Sequence, residues 1–306
     1  MATKIIYANM NFTQGEDKMQ RKLISFDWAI KRILRSKANF DILEGFLSEL
    51  LFEDITILEI LESESNQEQK DDKFNRLDIK VKNQKEEVIL IEIQYSSELD
   101  YLQRILYASS KAIAEHMKEG QAFSKVSKVI SISILYFDFG DGDDYIYKGT
   151  TNFIGLHNHT QLKLNEKQKE LYKTDKVEKI YPEYYLIKVR NFNDNSKDTL
   201  DEWINFLKNE EILDNPKAKG LLKAKEELDY LKMDEKEQLQ YNKYKEDRHH
   251  EASIYESTYV IGEKMGAKKN SIEIAKNLLD VLDKETIALK TGLSIQEVAN
   301  LTNQRN

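Results

Sequence analysis

The chain has 306 residues, of which 40% are hydrophobic, enough for one large core or for a core with an appended domain. Charged residues make up 33%, only two prolines occur and the net charge is −8, so long solvent-facing helices are favoured over a loop-rich all-β architecture. The absence of cysteine excludes disulfides, thiolate metal sites and a cysteine nucleophile, and favours a reducing compartment, the cytoplasm. We expect neither secretion nor a membrane span, because we find no signal peptide and no apolar run long enough to cross a bilayer.

The first half of the chain predicts an alternation of helices and strands. Apolar residues at three- and four-residue steps in SFDWAIKRILRSKANFDILEGFLSELLF predict two helices, broken near Ser36 to Asn39. Short β-branched stretches, DITILEILES and NRLDIKVKN, predict strands, and the second forms a hairpin with the apolar run at 87–95. A helix ending at Gly120 follows, and then strands in KVSKVISISILYFDFG and EYYLIKVRNF.

The composition of the sequence changes near residue 195, where highly charged segments with helical periodicity begin. We therefore predict a core domain at 1–195, a charged helical linker region at 196–268 and a small tail at 269–306. The tail predicts three short helices, with Asp283 capping the second and Ser294 the third, an arrangement like a helix-turn-helix. Its third helix carries few basic residues, which favours packing or homo-oligomerisation over reading of DNA.

The hairpin contains polar residues where a buried strand would be apolar. In VILIEIQY, at 88–95, the isoleucines at odd positions share one side of the strand, while Glu92 and Gln94 lie on the other. If both strands of the hairpin turn their apolar sides to one core, a turn centred on Lys85 places Asp78 opposite Glu92. The Cβ atoms of directly opposed residues are only about 4.5 to 5.5 Å apart.

Two carboxylates that close repel each other, and a half-buried setting makes the repulsion more costly. A divalent cation between them resolves the conflict, because Mg²⁺ prefers hard oxygen ligands and takes one or two protein carboxylates. Gln94, on the same side of the sheet, would then orient the attacking water, which the metal polarises. The alternative is an ordinary amphipathic hairpin with a polar solvent face, in which Lys80 pairs with Glu92.

The segments RLDIKV and LIEIQ resemble the D...ExQ motif of the PD-(D/E)XK nuclease family transposases, relatives of the recombination-promoting nucleases. The resemblance extends, in the order of the family, to FDWAIKRIL, FLSELL, QRILYASSKAIAEHMKEG and SKVISISILYF, and covers roughly residues 20–190. It implies an α/β, restriction-endonuclease-like core with a mixed central sheet flanked by helices, followed by an all-helical C-terminal extension. That extension carries weaker similarity to the family.

The resemblance also implies roles for particular residues. Asp78 and Glu92 would be ligands of Mg²⁺, or of Mn²⁺ in its place, and Gln94 stands where the wider superfamily usually has lysine. Asp27 is a candidate auxiliary acid, although an acid in the first turn of a helix also has a purely structural explanation. Glu44 could serve instead of Asp27.

The expected activity is hydrolysis of DNA phosphodiester bonds by a metal-dependent endonuclease, linked by the resemblance to transposition or recombination. Basic residues around the cleft would compensate the acidic net charge and contact phosphates; the candidates are Lys22, Lys31, Arg32, Arg35 and Arg104. The alternative function is a catalytically weak or inactive module that binds DNA or assembles proteins through its helical tail.

Overall fold

The computed structural model describes residues 23–32, 36–61, 78–117 and 120–303. Its centre is a mixed sheet of six strands in the order β1-β2-β3-β4-β6-β5. The strands are β1 (Ile57–Leu61), β2 (Ile79–Asn83), β3 (Val88–Gln94), β4 (Val129–Leu135), β5 (Ile146–Gly149) and β6 (Glu183–Lys188). Strands β3, β4 and β6 run parallel, and the outer pairings are antiparallel. The sheet is flanked by helices, as predicted.

Helix α3 (Tyr101–Glu115) connects β3 to β4 and covers one face of the sheet. Parallel neighbours require a crossover of this kind, because a tight turn cannot return the chain to the same end of the sheet. Ala112 packs on Val88, Leu90 and Val129, and Ile105 packs near the far end of β4. The face of β3 that carries Glu92 is therefore covered by a helix, so both faces of this strand are buried.

Helices α1 (Phe26–Arg32) and α2 (Phe40–Leu51) are the two helices predicted from the first apolar pattern, with a short 3-10 turn between them. Phe26 and Phe46 form edge-on aromatic contacts with each other and with Trp203. Trp203 lies on α5 (Thr199–Asn209) and is fully buried. Gly45 is required here, since a Cβ at this position would lie 2.2 Å from the carbonyl oxygen of Lys219.

The structure divides the chain after Gln238 rather than near residue 195. The stretch predicted as a charged linker is helical, but its first part belongs to the first compact unit: α5 packs on α1 and α2, and α6 (Leu221–Glu227) buries Leu221 and Ala224. Because this stretch is highly charged, its sequence pattern did not indicate the few large apolar residues that are buried in the first unit. The short α4 (Glu166–Tyr172) precedes β6.

The second unit begins within α7 (Glu235–Leu278), a helix of 44 residues. Two short helices follow, α8 (Lys284–Thr291) and α9 (Ile295–Asn303), and a small core forms around Ala275, Ile287 and Val298. Asp283 caps α8 and the Ser294–Glu297 capping box begins α9, as predicted. The first of the three predicted tail helices is, however, the end of the long α7. Within the described part of the chain, no helix is both long and apolar enough to cross a membrane.

Candidate active site

The β2–β3 hairpin sets two carboxylates side by side. Its turn is centred on Lys85, and the amide of Asn83 donates a hydrogen bond to the carbonyl oxygen of Glu87 across it. In the register that follows, Ile79 is paired with Ile91. The register of the two strands ends at this pair. The amide of Asp78, one residue before Ile79, donates to the carbonyl oxygen of Ile91 at 3.1 Å, and Asp78 lies close enough to Glu92 for its charge to raise the pKa of that carboxyl.

Both carboxylates are buried. Asp78 is 9% exposed and Glu92 is 3% exposed. The amide of Ile93 donates to Oδ2 of Asp78 at 2.6 Å, which fixes the orientation of that side chain against β3. The hydroxyl of Tyr101, at the start of α3, faces Glu92 and Ser133. The burial is deeper than in the half-exposed hairpin that the sequence alone suggested, because α3 covers this face.

Arg104 contributes a positive charge to the site. One of its terminal nitrogens donates to Oε1 of Glu92, and the other donates to both oxygens of Glu98, at 2.6 and 2.7 Å. Its guanidinium also lies 5.8 Å from the centre of the Tyr101 ring, within the range of a cation–π interaction. The side-chain amide of Gln94 donates to Glu98 at 2.9 Å and to the carbonyl oxygen of Ser96 at 3.0 Å. Glu92, Glu98, Gln94 and Arg104 thus form one connected network.

The balance of charge in this network is negative. Burial raises the pKa of Glu92; Arg104 counteracts this, but the charges of Asp78 and Glu98 add to it, and the resulting pKa is about 7. The guanidinium of Arg104 therefore does not fully offset the burial of Glu92 and the negative charges beside it. Lys80, which the alternative hypothesis paired with Glu92, instead forms an ion pair with Glu115 at 2.8 Å. A further cation at Asp78 and Glu92 would relieve the remaining repulsion.

The donor set suits a hard divalent cation. Asp78 and Glu92 are oxygen ligands, and Mg²⁺ is commonly held by one or two carboxylates with water in its other positions. Within the described residues there is no cluster of three or more histidine, cysteine or acidic side chains arranged around a common metal position. The site therefore fits a metal that keeps most of its waters or shares substrate oxygens. In the observed arrangement the Arg104 guanidinium occupies one carboxylate oxygen of Glu92.

The other predicted site residues have varied positions. Asp27 lies in the first turn of α1 and is buried, and its catalytic role stays a prediction. Glu44 accepts a hydrogen bond from the amide of Ile57 at 2.8 Å and so holds the start of β1. Of the predicted DNA-binding residues other than Arg104, Lys22 and Arg35 lie outside the described residues, as do the side chains of Lys31 and Arg32.

Sequence reasoning missed two members of the site, Glu98 and Tyr101. Tyr101 and Arg104 are three positions apart on α3, and side chains at that spacing share a helix face. The spacing of these two residues could have predicted that Tyr101 lies near Glu92, once α3 is known to cover β3. Glu98 lies in the loop before α3, and nothing in its local pattern marks it.

A mixed sheet flanked by helices, with two acids on a hairpin at its centre, defines a protein of the restriction-endonuclease-like fold. A family model described as PD-(D/E)XK nuclease family transposase matches residues 24–258, and the chain belongs to this family. No curated protein and no solved structure matched the chain. The match extends into α7, further than the resemblance to roughly residue 190 had covered.

Proposed function

We propose that this protein is a metal-dependent endonuclease that hydrolyses phosphodiester bonds of DNA. The observation that carries the proposal is the pair of neighbouring buried carboxylates, Asp78 and Glu92, in a chain that belongs to a nuclease family. Two carboxylates so close in a buried place repel each other, and a divalent cation between them would relieve that repulsion. Transposition or recombination is the biological setting we propose, in the cytoplasm.

Asp78 and Glu92 would hold Mg²⁺, or Mn²⁺ in its place. The metal would polarise the attacking water and stabilise the charge that develops on the phosphate. The main-chain bond from Ile93 to Oδ2 of Asp78 keeps that carboxylate fixed against β3. The cover of α3 and Tyr101 limits access of bulk water, which strengthens the electrostatic interactions at the site.

Gln94 and Arg104 would act on water and substrate. Both N–H groups of the Gln94 amide are engaged, so its carbonyl oxygen is the group that can accept a hydrogen bond from water. Glu98 holds Arg104 through two bonds, so Arg104 would keep its place if Glu92 turned to a metal, and its guanidinium would then face a phosphate oxygen. Asp27 would complete the site as an auxiliary acid.

The contact between Arg104 and Glu92 also favours a second function. If the guanidinium keeps this carboxylate permanently, the site is catalytically weak or inactive. The protein would then bind DNA without cleaving it, or assemble partners. In either case, homo-oligomerisation through α7 to α9 is part of our proposal, because α7 exposes large apolar side chains at Ile254, Ile261 and Met265.

Plasmid nicking separates the two functions. We expect the native chain to nick supercoiled DNA with Mg²⁺ or Mn²⁺, and not with a chelator. Asp78→Asn and Glu92→Gln should each reduce the rate by about 100-fold or more, since a catalytic metal supplies several kcal/mol and each 1.36 kcal/mol is a factor of ten. The matched control is Glu115→Gln, which removes a carboxylate from α3 outside the network.

Three outcomes are informative. Equal rates in the native chain and in both site variants would remove Asp78 and Glu92 from the mechanism. Duplex binding that weakens with salt, without metal and without cleavage, would support the DNA-binding module. Loss of nicking in Glu115→Gln as well would show a general effect on folding rather than on the site.

A further inference from the structure

Two buried hydroxyl groups lie beside Glu92 at the interface between α3 and the sheet. Tyr101, the first residue of α3, is 0% exposed, and Ser133 on β4 is 1% exposed. The parallel register of β3 and β4 pairs Ser133 with Glu92, so both side chains leave the sheet on the face that α3 covers. Neither hydroxyl oxygen has a hydrogen-bond partner among the residues that the structure describes.

The hydroxyl of Tyr101 is near enough to Glu92 to act on its charge. Burial raises the pKa of Glu92, and the hydroxyl of Tyr101 works against this rise. Burial also raises the pKa of Tyr101, and the charge of Glu92 adds to that effect. The hydroxyl therefore keeps its proton at ordinary pH values and can donate it in a hydrogen bond to the carboxylate.

Packing explains the aromatic ring of Tyr101 but not its hydroxyl. The ring makes edge-on contacts with Phe137 and Phe139, at centroid distances of 6.0 and 5.6 Å. A phenylalanine would make the same contacts and would avoid the cost of a buried hydroxyl that forms no hydrogen bond. We therefore looked for a state of the site in which this hydroxyl has an acceptor.

The contacts of Arg104 indicate such a state. One guanidinium nitrogen donates to Oε1 of Glu92, and the other donates to both oxygens of Glu98. Arg104 can release Glu92 and still remain paired, because Glu98 holds it through two bonds. A carboxylate released in a buried place needs another donor to keep its orientation, and the hydroxyl of Tyr101 lies beside it.

We propose that Tyr101 is the positioning residue of Glu92, and that its hydroxyl donates to this carboxylate when Arg104 releases it to a divalent cation. Ser133 would bond to the Tyr101 oxygen and hold it in place. Hydrogen-bond partners of this kind fix the orientation of metal ligands, and the loss of one commonly lowers metal affinity about 10- to 100-fold. The inference rests on the proposed function, because it requires Asp78 and Glu92 to bind a metal.

The substitution Tyr101→Phe removes the hydroxyl and keeps the ring. We expect Mn²⁺ to bind the full chain about tenfold more weakly after this change, as measured by titration calorimetry without DNA. The metal-free melting temperature should stay the same or rise, since the hydroxyl forms no hydrogen bond in the observed arrangement. A purely structural role would give the opposite pair of results, a lower melting temperature and an unchanged metal affinity.

The matched control is Tyr107→Phe, which makes the same chemical change on the same helix. The side chain of Tyr107 is 47% exposed, so we expect neither the Mn²⁺ affinity nor the melting temperature to change. Ser133→Ala is a second test, because it removes the group that would hold the Tyr101 hydroxyl. It should also weaken Mn²⁺ binding, by a smaller factor than Tyr101→Phe.

The outcomes distinguish this inference from the proposed function. Mn²⁺ binding that Glu92→Gln abolishes and Tyr101→Phe weakens would support both. Equal Mn²⁺ affinity in the native chain and in Tyr101→Phe, with binding lost in Glu92→Gln, would overturn the inference alone. Absence of Mn²⁺ binding by the native chain would overturn both. A lower metal-free melting temperature in Tyr101→Phe would assign the hydroxyl to the stability of the fold and would overturn the inference.

Discussion

Glu92 and Glu183 are buried to nearly the same degree, at opposite ends of the same sheet, and differ in what surrounds them. Near Glu92, the guanidinium of Arg104 pairs with both Glu92 and Glu98, and Asp78 adds a further negative charge. Around Glu183, three ammonium groups lie at 2.6 to 3.3 Å from its carboxylate, and one of them, that of Lys128, is also 3.9 Å from Glu87. Burial acts in the same direction on both acids, yet the pKa of Glu92 is raised to about 7 and that of Glu183 is lowered to about 2.

The difference shows that the number of counter-charges, and not burial, decides the state of a buried acid in this protein. An acid with too few cations favours protonation or the binding of a metal. An acid surrounded by several cations stays ionised at ordinary pH values.

Replacing Glu183 gives the largest expected change in stability. Glu183→Gln leaves three ammonium groups without their anion, one of them on the nearly buried Lys128, and we expect a loss of about 3 kcal/mol in the free energy of unfolding. Glu92→Gln removes a buried charge that is unfavourable at pH 7, so we expect no loss but a gain in the free energy of unfolding. Urea unfolding at pH 7 measures both values. Equal losses in the two variants would break the comparison.

The two acids also predict opposite dependences of stability on pH. Hydrogen bonds and charges from Lys128 and Lys148 outweigh the effect of burial on Glu183, so its pKa falls from 4.5 to about 2. Its stabilising contribution is complete above pH 4.5 and is lost as the pH falls toward 2. The pKa of Glu92 is raised in the folded chain, so metal-free stability should decline between pH 4.5 and 7.

Difference curves between the native chain and each variant isolate these contributions from the other carboxylates. Glu183→Gln should differ from the native chain mainly below pH 4.5, and Glu92→Gln mainly between pH 4.5 and 7. Unfolding followed by tryptophan fluorescence across pH 2 to 8 gives the curves. A Glu92→Gln difference curve that is flat above pH 4.5 would contradict the raised pKa of Glu92.

Removing Arg104 tests whether its guanidinium competes with a metal ion for Glu92. Arg104→Gln takes away the resident positive charge beside Glu92, and we expect Mn²⁺ to bind about tenfold more tightly, a change of about 1.4 kcal/mol. Calorimetry without DNA measures this binding directly. Lys111→Gln, on the same helix, is the control. Weaker Mn²⁺ binding in Arg104→Gln would show that the guanidinium supports the site instead of competing for it.

A charge outside the two clusters should have the smallest effect. Lys82 pairs with Glu59 at 3.3 Å on a partly exposed part of the sheet. Exposed pairs contribute about 0.2 to 1 kcal/mol, so Lys82→Gln should change the free energy of unfolding by about 0.5 kcal/mol. It should leave nicking unaltered. A larger effect, measured by the same assays, would show that charge matters throughout the sheet.

The sequence determined the hairpin and the helices beside it. The side-chain period of a strand is two, and the turn around Lys85 is short, so the pairing of Ile79 with Ile91 follows from local pattern alone and brings Asp78 near Glu92. The N-terminal caps of α8 and α9 are equally local. Asp283 accepts from the amide of Thr286, and Ser294 accepts from the amide of Glu297, three positions apart in each case. The family resemblance added the fold class, and the match over residues 24–258 confirms it.

Only the tertiary structure decided the balance of charge at each end of the sheet. Arg104 and Tyr101 reach Glu92 because the crossover lays α3 on β3, and this placement depends on packing far along the chain. Lys128, Lys148 and Lys179 come from three separate segments and meet at Glu183 because β4, β5 and β6 are neighbours. Long-range pairing brings these charges together, and no local periodicity encodes it.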